Sequence, residues 1–338
     1  MLIEGLLFQS TINNQQSTIS NSSVVTRLHF RPIDALLLLM ATIWGTNYVI
    51  IKHAFRELDP QAFNAIRMIV ASAVFLAAMT VIRSLPAARR AEGSFASIFY
   101  TPSPISRGDW LGLAALGIVG QGFYQYLFVG GLAGTSVSNA ALILAATPVL
   151  IALFGAAAGE ERVTGVHWLG ALLSVIGIYL VVGRDVSATG STLRGDLTMF
   201  AAVCCWAIYT MGSRPLMVRH SPVAVSGLSM AIGTALYVPV VTSHIRAVTW
   251  TEVSAGTWVA AVYSALFALC LSYTIWYAAV REIGSARTSA YSNVVPIVAM
   301  ATAVVFLGEP LGVRKVAGAA VVLVGVALTR VRIAHPAK

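Results

Sequence analysis

From position 34 onward the chain alternates between long apolar stretches and short polar ones. The apolar stretches cover 34–52, 61–82, 110–129, 136–157, 166–183, 196–213, 222–243, 256–278, 286–307 and 314–330. Each is close to the roughly 17–25 residues a helix needs to cross the hydrocarbon of a bilayer. The pattern therefore predicts an all-α integral membrane protein with ten transmembrane helices. Residues 1–32 are rich in Ser, Asn and Gln and have little to bury, which predicts a disordered tail. The tail lacks the basic start and long apolar centre of a secretory signal. Residues 332–338 form a second, short tail.

The pattern repeats. At an offset of 148 positions, Pro148 falls on Pro296, Glu161 on Glu309, Gly170 on Gly318, Ala171 on Ala319 and Gly177 on Gly325. Trp110 falls on Trp258 at the same offset. An offset of 162 aligns Asp34 with Asp196, Trp44 with Trp206, Lys52 with Arg214, Pro60 with Pro222 and Met68 with Met230. The two offsets differ by the extra length of the loop at 83–109 relative to that at 244–255. The halves are thus 33–183 and 196–331, with 184–195 as linker, and each holds five apolar runs. Five is odd, so the second half enters the membrane from the opposite side. An inverted repeat of this kind characterises secondary transporters, whose substrate site lies near the midplane between the repeats.

Charge sets the expected orientation. With the N-terminus inside, fourteen of the 22 Lys and Arg residues fall on inner segments and seven on outer ones, with Arg67 inside a span. That bias predicts both termini in the cytoplasm. Composition agrees with a membrane setting: 57% of residues are hydrophobic, 10% are charged and mean hydropathy is +0.80. Soluble domains carry roughly 25% charged residues. The net charge of +9 is spread between the apolar runs and forms no patch for nucleic acid. Cys204, Cys205 and Cys270 lie inside apolar runs without CxxC spacing, so neither a disulfide framework nor a metal site is expected.

With these features the chain resembles the EamA family of the drug/metabolite transporter superfamily. The first half matches its pattern through Trp44-Gly45, Asn47, Lys52, Pro60 and Arg67, then Pro148, Gly159, Glu160-Glu161 and Gly170. The second half matches through Trp206, Pro222, Tyr291-Ser292, Pro296, Gly308-Glu309-Pro310 and Gly318. The resemblance implies a ten-helix carrier, commonly an exporter of amino acids or other small metabolites, working by alternating access. The second copy departs from the pattern with Trp206-Ala207 in place of Trp-Gly and with Ser229 where the first has Arg67. The expected setting is the bacterial inner membrane, with a small-molecule substrate, no cofactor, and a monomer or weak homodimer as the assembly.

The chemistry inside the spans is sparse. Every Asp, Glu and His lies in a tail, in a loop or at a span end, so no carboxylate or imidazole relay of the kind proton pumps bury is present. HExxH, GxSxG and P-loop motifs are missing as well, which argues against an enzyme. Arg67 is the one charge within a span; it reads either as a clamp for a substrate carboxylate or as an interhelical structural group. Trp44 and Asn47 share a face of the first helix with Tyr48, and Trp206 and Tyr209 repeat that face on the sixth. Gln121 and Tyr124 on the third run, Tyr273 and Trp276 on the eighth, and Tyr291 and Asn293 on the ninth complete the expected cavity lining. Pro148 and Pro296 interrupt helix bonding and are the expected hinges. Glu161 and Glu309 read as structural, pairing with Arg162 or Arg314 or capping a helix. Alternatives are a membrane receptor or assembly partner, and an exporter of nucleobases or drug-like amphiphiles.

Overall fold

The structure, a computed structural model, describes residues 31–84, 96–100, 103–157, 165–182, 192–284, 288–289 and 291–328. The N-terminal tail, the hairpin that bears Glu161, most of the 184–195 linker and the C-terminal tail lie outside the described residues. The described residues form helices α1 Pro32–Ala54, α2 Pro60–Ser84, α3 Arg107–Ala133, α4 Val137–Leu144, α5 Thr147–Ala157 and α6 Gly165–Val182. They continue as α7 Leu193–Arg219, α8 Pro222–Val240, α9 Ala255–Ile283, α10 Val294–Leu307 and α11 Val313–Leu328.

Among the described residues, seven helical stretches are long and apolar enough to cross a membrane: α1, α2, α3, Val137–Gly155 across α4 and α5, α7, α8 and α9. Their outward faces are unfit for water: Leu111 is 74% exposed, Val240 71% and Val218 84%. Such a surface is stable only against lipid, so this is an integral membrane protein. The expected spans at 286–307 and 314–330 appear as the shorter α10 and α11. Turns at Ser292 and Asn293 delay the start of α10, and Gly308, with φ of +66°, ends it in the left-handed region that suits glycine.

Capping and charged groups gather at helix ends, where backbone donors and acceptors lack partners. Ser106 caps α3 through the Asp109 N–H, and Asp109 accepts back from Ser106. Ser254 caps α9 through the Thr257 N–H, and the Glu57 carboxylate accepts from Ser254 N and the Thr257 hydroxyl at 3.0 and 2.7 Å. Those bonds hold Glu57 below the usual carboxylate pKa, the Thr257 hydroxyl contributing most. Glu309 caps a helix in the other half: it accepts from Val137 N at 2.7 Å and from the Ser138 N–H and hydroxyl at 3.1 and 2.7 Å. Beside it, the Lys52 ammonium donates to the carbonyls of Leu132, Ala133 and Thr135 at 2.7 to 3.0 Å. The Thr135 hydroxyl in turn donates to Asp196 at the start of α7. At the other end of α3, Asp109 pairs with Arg219 at 2.6 Å and His220 at 3.1 Å.

Helix pairing follows the small residues. Helix α2 packs on α8, α6 on α11, α4 on α10 and α3 on α7. Where α6 crosses α11, a methyl on Gly177 would lie 2.6 Å from Val322 N and 2.8 Å from Gly318 O. One on Gly325 would lie 2.6 Å from both Ser174 N and Gly170 O. The close backbone approach typical of small-residue helix pairs requires glycine at both places. Two helices widen into π-helical turns, α3 at Gly117–Phe123 and α9 at Ser264–Leu271. Such turns leave backbone carbonyls available to other partners.

Candidate functional site

A cavity of about 50 Å³ lies among α1, α2, α3, the α4–α5 break, α7, α9 and the start of α10. Helix α1 presents Trp44, Asn47 and Tyr48 to it. Gly45 makes that approach possible, since a methyl there would meet the Val298 side chain at 2.6 Å and Val295 O at 3.0 Å. The Trp44 indole N–H is anchored 2.9 Å from the Ala268 carbonyl, within the π turn of α9, which frees that acceptor.

The rings form one continuous cluster. Trp44 meets Trp206 edge-on at 5.8 Å, Trp276 at 5.6 Å and Tyr273 at 6.2 Å. Trp206 lies 5.1 Å from Tyr124 and 5.4 Å from Tyr273. These separations suit aromatic pairs, each worth about 0.5–1.5 kcal/mol beyond area burial. The Gln125 amide donates to the Tyr273 hydroxyl at 3.3 Å.

Arg67 reaches the cavity from α2 and is 2% exposed. Its guanidinium donates to Asn64 Oδ1 at 3.0 Å and lies 5.9 Å from the Phe63 ring centre, and its Nε has no hydrogen-bond partner. No carboxylate lines the cavity. Asn47 and Trp276 line it, and Asn47 Oδ1 and the Trp276 indole N–H are buried without hydrogen-bond partners among the described residues.

Of the residues expected to line a cavity, Trp44, Asn47, Arg67, Tyr124, Trp206, Tyr273 and Trp276 come together. Gln121 and Tyr209 stand behind them. The Tyr209 ring fits against Gly120, where no side chain is tolerated, and its hydroxyl bonds Ser229 at 2.9 Å. Gln121 packs beneath Gly233 of α8. Tyr291 and Asn293 flank Ser292, which does line the cavity. The prolines are not in mid-helix: Pro148 and Pro296 sit in the first turns of α5 and α10, just after the interruptions at Ala145–Ala146 and Ser292–Asn293. A first-turn proline loses no helix hydrogen bond.

Sequence reasoning passed over Gln125, Phe128, Thr147 and Leu269 in the lining. Gln125 had a signal, because the 148 offset places it on Tyr273. Leu269 and Phe128 had none, since an apolar residue on a spanning helix is legible as lipid-facing and as lining alike. A larger cleft of about 660 Å³ opens at the surface between α1, α9 and α10, with His53, Val259, Tyr263 and Phe306 in its walls. Val259 and Phe306 are 68% and 72% exposed, a face for acyl chains, and among its lining residues none carries a permanent charge.

The EamA-like transporter family model matches residues 31–183 and again 193–331. The chain is 28% identical over 297 residues to "Uncharacterized transporter YyaM" of Bacillus subtilis, covering 87% of this chain and 92% of that protein. It is 25% identical to a "Probable amino-acid metabolite efflux pump" of Salmonella typhimurium, covering 86% and 92% of the two chains. It is 27% identical to a "Probable terminal-alkyne amino-acid exporter" of Streptantibioticus cattleyicolor, covering 64% and 71%. A solved crystal structure shares the fold, with a TM-score of 0.59 at 19% identity over 87% of this chain and 94% of that one. With both halves matched, the chain belongs to the EamA-like transporter family and is a membrane transporter, not an enzyme.

Proposed function

We propose that this protein is a secondary exporter of small, mostly neutral metabolites, amino acids and especially aromatic ones foremost, working by alternating access at the ring-lined cavity. Trp44, Asn47, Arg67, Tyr124, Trp206, Tyr273 and Trp276 form the site, backed by Gln121 and Tyr209 and flanked by Tyr291 and Asn293. The observation that carries the reading is Arg67, a fully buried guanidinium without a carboxylate partner beside a cluster of rings. Guanidinium binds carboxylate bidentately, and the rings suit an apolar or aromatic body. Two relatives named for amino-acid efflux or export support the same class.

In this reading ten spans form two inverted repeats, 33–183 and 196–331, in the bacterial inner membrane with both termini cytoplasmic. Reciprocal contacts support it. Ser72 meets Thr234, Gln125 meets Tyr273 and Trp44 meets Trp206, and each pair is related by a repeat offset. The Gly177–Val322 and Gly325–Ser174 approaches exchange partners as a two-fold axis requires. The π turns at 117–123 and 264–271 also correspond.

Alternating access draws support from an asymmetry between equivalent groups. Lys52 clamps three carbonyls at the end of α3. Its counterpart Arg214 is exposed and engages none of the matching carbonyls of α9. In this reading one end is shut and the other free, with the breaks before Pro148 and Pro296 as hinges. The assembly is a monomer or a weak homodimer.

Counterflow in proteoliposomes tests the function. Vesicles loaded with unlabelled phenylalanine or tryptophan should take up trace label without an ion gradient. Trp44→Ala and Trp206→Ala should insert normally and lose the flux. Wild-type flux in both variants, or no uptake across an amino-acid panel with folded protein, sinks the assignment.

A further inference from the structure

The ring-lined cavity holds a charge that no carboxylate among its lining residues balances. The ionisable groups with which Arg67 interacts are the phenols of Tyr273, Tyr124 and Tyr237, and phenols are neutral at physiological pH. Every carboxylate among the described residues sits in a loop or in a terminal helical turn. An isolated buried cation is costly, and a paired, hydrogen-bonded one much less so.

A bound carboxylate supplies the missing partner. A zwitterion supplies it too, but its ammonium returns a positive charge to the same low-dielectric space. Ring faces attract an ammonium only modestly, and the amide oxygen of Asn47 offers it a hydrogen bond without a charge. The site is neutral only when its occupant carries one net negative charge.

We propose that the cavity recognises organic monoanions, in which a carboxylate on an aromatic or bulky apolar body is obligatory and an α-amino group is dispensable. This rests on reading the cavity as the transport site. It also supplies a driving force. An exported anion leaves a cell whose interior is negative, so the membrane potential drives it outward without a coupling ion. The gain is about 50-fold in gradient per 100 mV, the equivalent of about 2.3 kcal/mol per charge. A cavity without carboxylate or imidazole suits such a carrier, which has no proton to relay.

Phenylpyruvate, phenylalanine and phenethylamine share a phenylalkyl body and carry one negative charge, no net charge and one positive charge. Each is loaded, labelled, into proteoliposomes of the full-length protein, and efflux is followed under valinomycin potassium potentials of either sign, with protein-free vesicles subtracted. Inside-negative potential should speed phenylpyruvate efflux about 10-fold or more over inside-positive potential and leave phenylalanine efflux within about 2-fold. Phenylpyruvate should compete with phenylalanine at least as well as phenylalanine itself, and phenethylamine should not compete. Phenylalanine flux with no competition from phenylpyruvate and no response of phenylpyruvate to potential overturns the proposal and leaves the transport site standing. No carrier flux for either compound overturns both. Arg67→Gln should erase the preference for phenylpyruvate over uncharged phenylacetamide, and Arg67→Lys should retain it; a Gln variant with the wild-type preference also overturns the proposal. The wild-type measurement decides the matter where the Gln variant does not fold.

Discussion

The hydroxyls of Ser72 and Thr234 lie 2.8 Å apart in the buried contact between α2 and α8, and the two residues are 162 positions apart, one repeat offset. Contact between equivalent positions is what the proposed two-fold relation between the repeats requires. A double-mutant cycle with Ser72→Ala and Thr234→Val measures the contact. We expect a coupling of about 0.6 kcal/mol and no more than about 1.7 kcal/mol, the range of hydrogen bonds between membrane helices, read by unfolding in detergent. Zero coupling means that the two hydroxyls do not bond each other.

Gly177 and Gly325 hold α6 against α11 at backbone contact distance. Gly177→Ala and Gly325→Ala should each destabilise the pair by about 1–3 kcal/mol, the cost of overpacking. Because either methyl opens the same crossing, the double variant should cost clearly less than the two singles combined. Thermal unfolding of the three variants reads this directly, and simple additivity contradicts a shared crossing.

Lys52 ties α1 to the carbonyl end of α3, while Arg214 is exposed. Thr135, between the two helices, is fully buried. In a cysteine-free background with Thr135→Cys, Lys52→Met should raise labelling by a water-soluble maleimide several-fold. Arg214→Met should leave it unchanged or lower it. Equal increases from both substitutions would mean that neither residue biases one end over the other.

Glu57 lies in the loop between α1 and α2, and its pKa is depressed chiefly by the Thr257 hydroxyl and then by Ser254. A carboxylate with a lowered folded-state pKa stabilises the fold above its unfolded value, about 4.3, and that contribution fades as pH falls through the lowered value. The melting temperature of the wild type should therefore exceed that of Glu57→Gln at neutral pH, and the gap should close in acid. A gap that persists below the lowered value means that the bonds to α9 do not depend on the carboxylate charge.

The sequence by itself determined the class and the period. Runs of apolar residues about one bilayer long admit little but membrane helices, because an unpaired backbone in hydrocarbon is too costly. Repeated positions such as Trp44 and Trp206, or Gly177 and Gly325, survive as identities in the chain and are legible without coordinates. Tertiary structure decided which of the polar and aromatic positions face one another. Gln121 and Tyr124 lie three residues apart on α3, yet only Tyr124 reaches the cavity, because the π turn at Gly117–Phe123 resets the helical phase between them. The partner of Glu309 was likewise invisible in the chain. An acid beside Arg314 reads as a local pair, but the left-handed Gly308 ends α10, and Glu309 beyond it bonds the start of α4. Helical periodicity describes a straight, isolated element, and these positions depend on where helices widen, break and end against their neighbours.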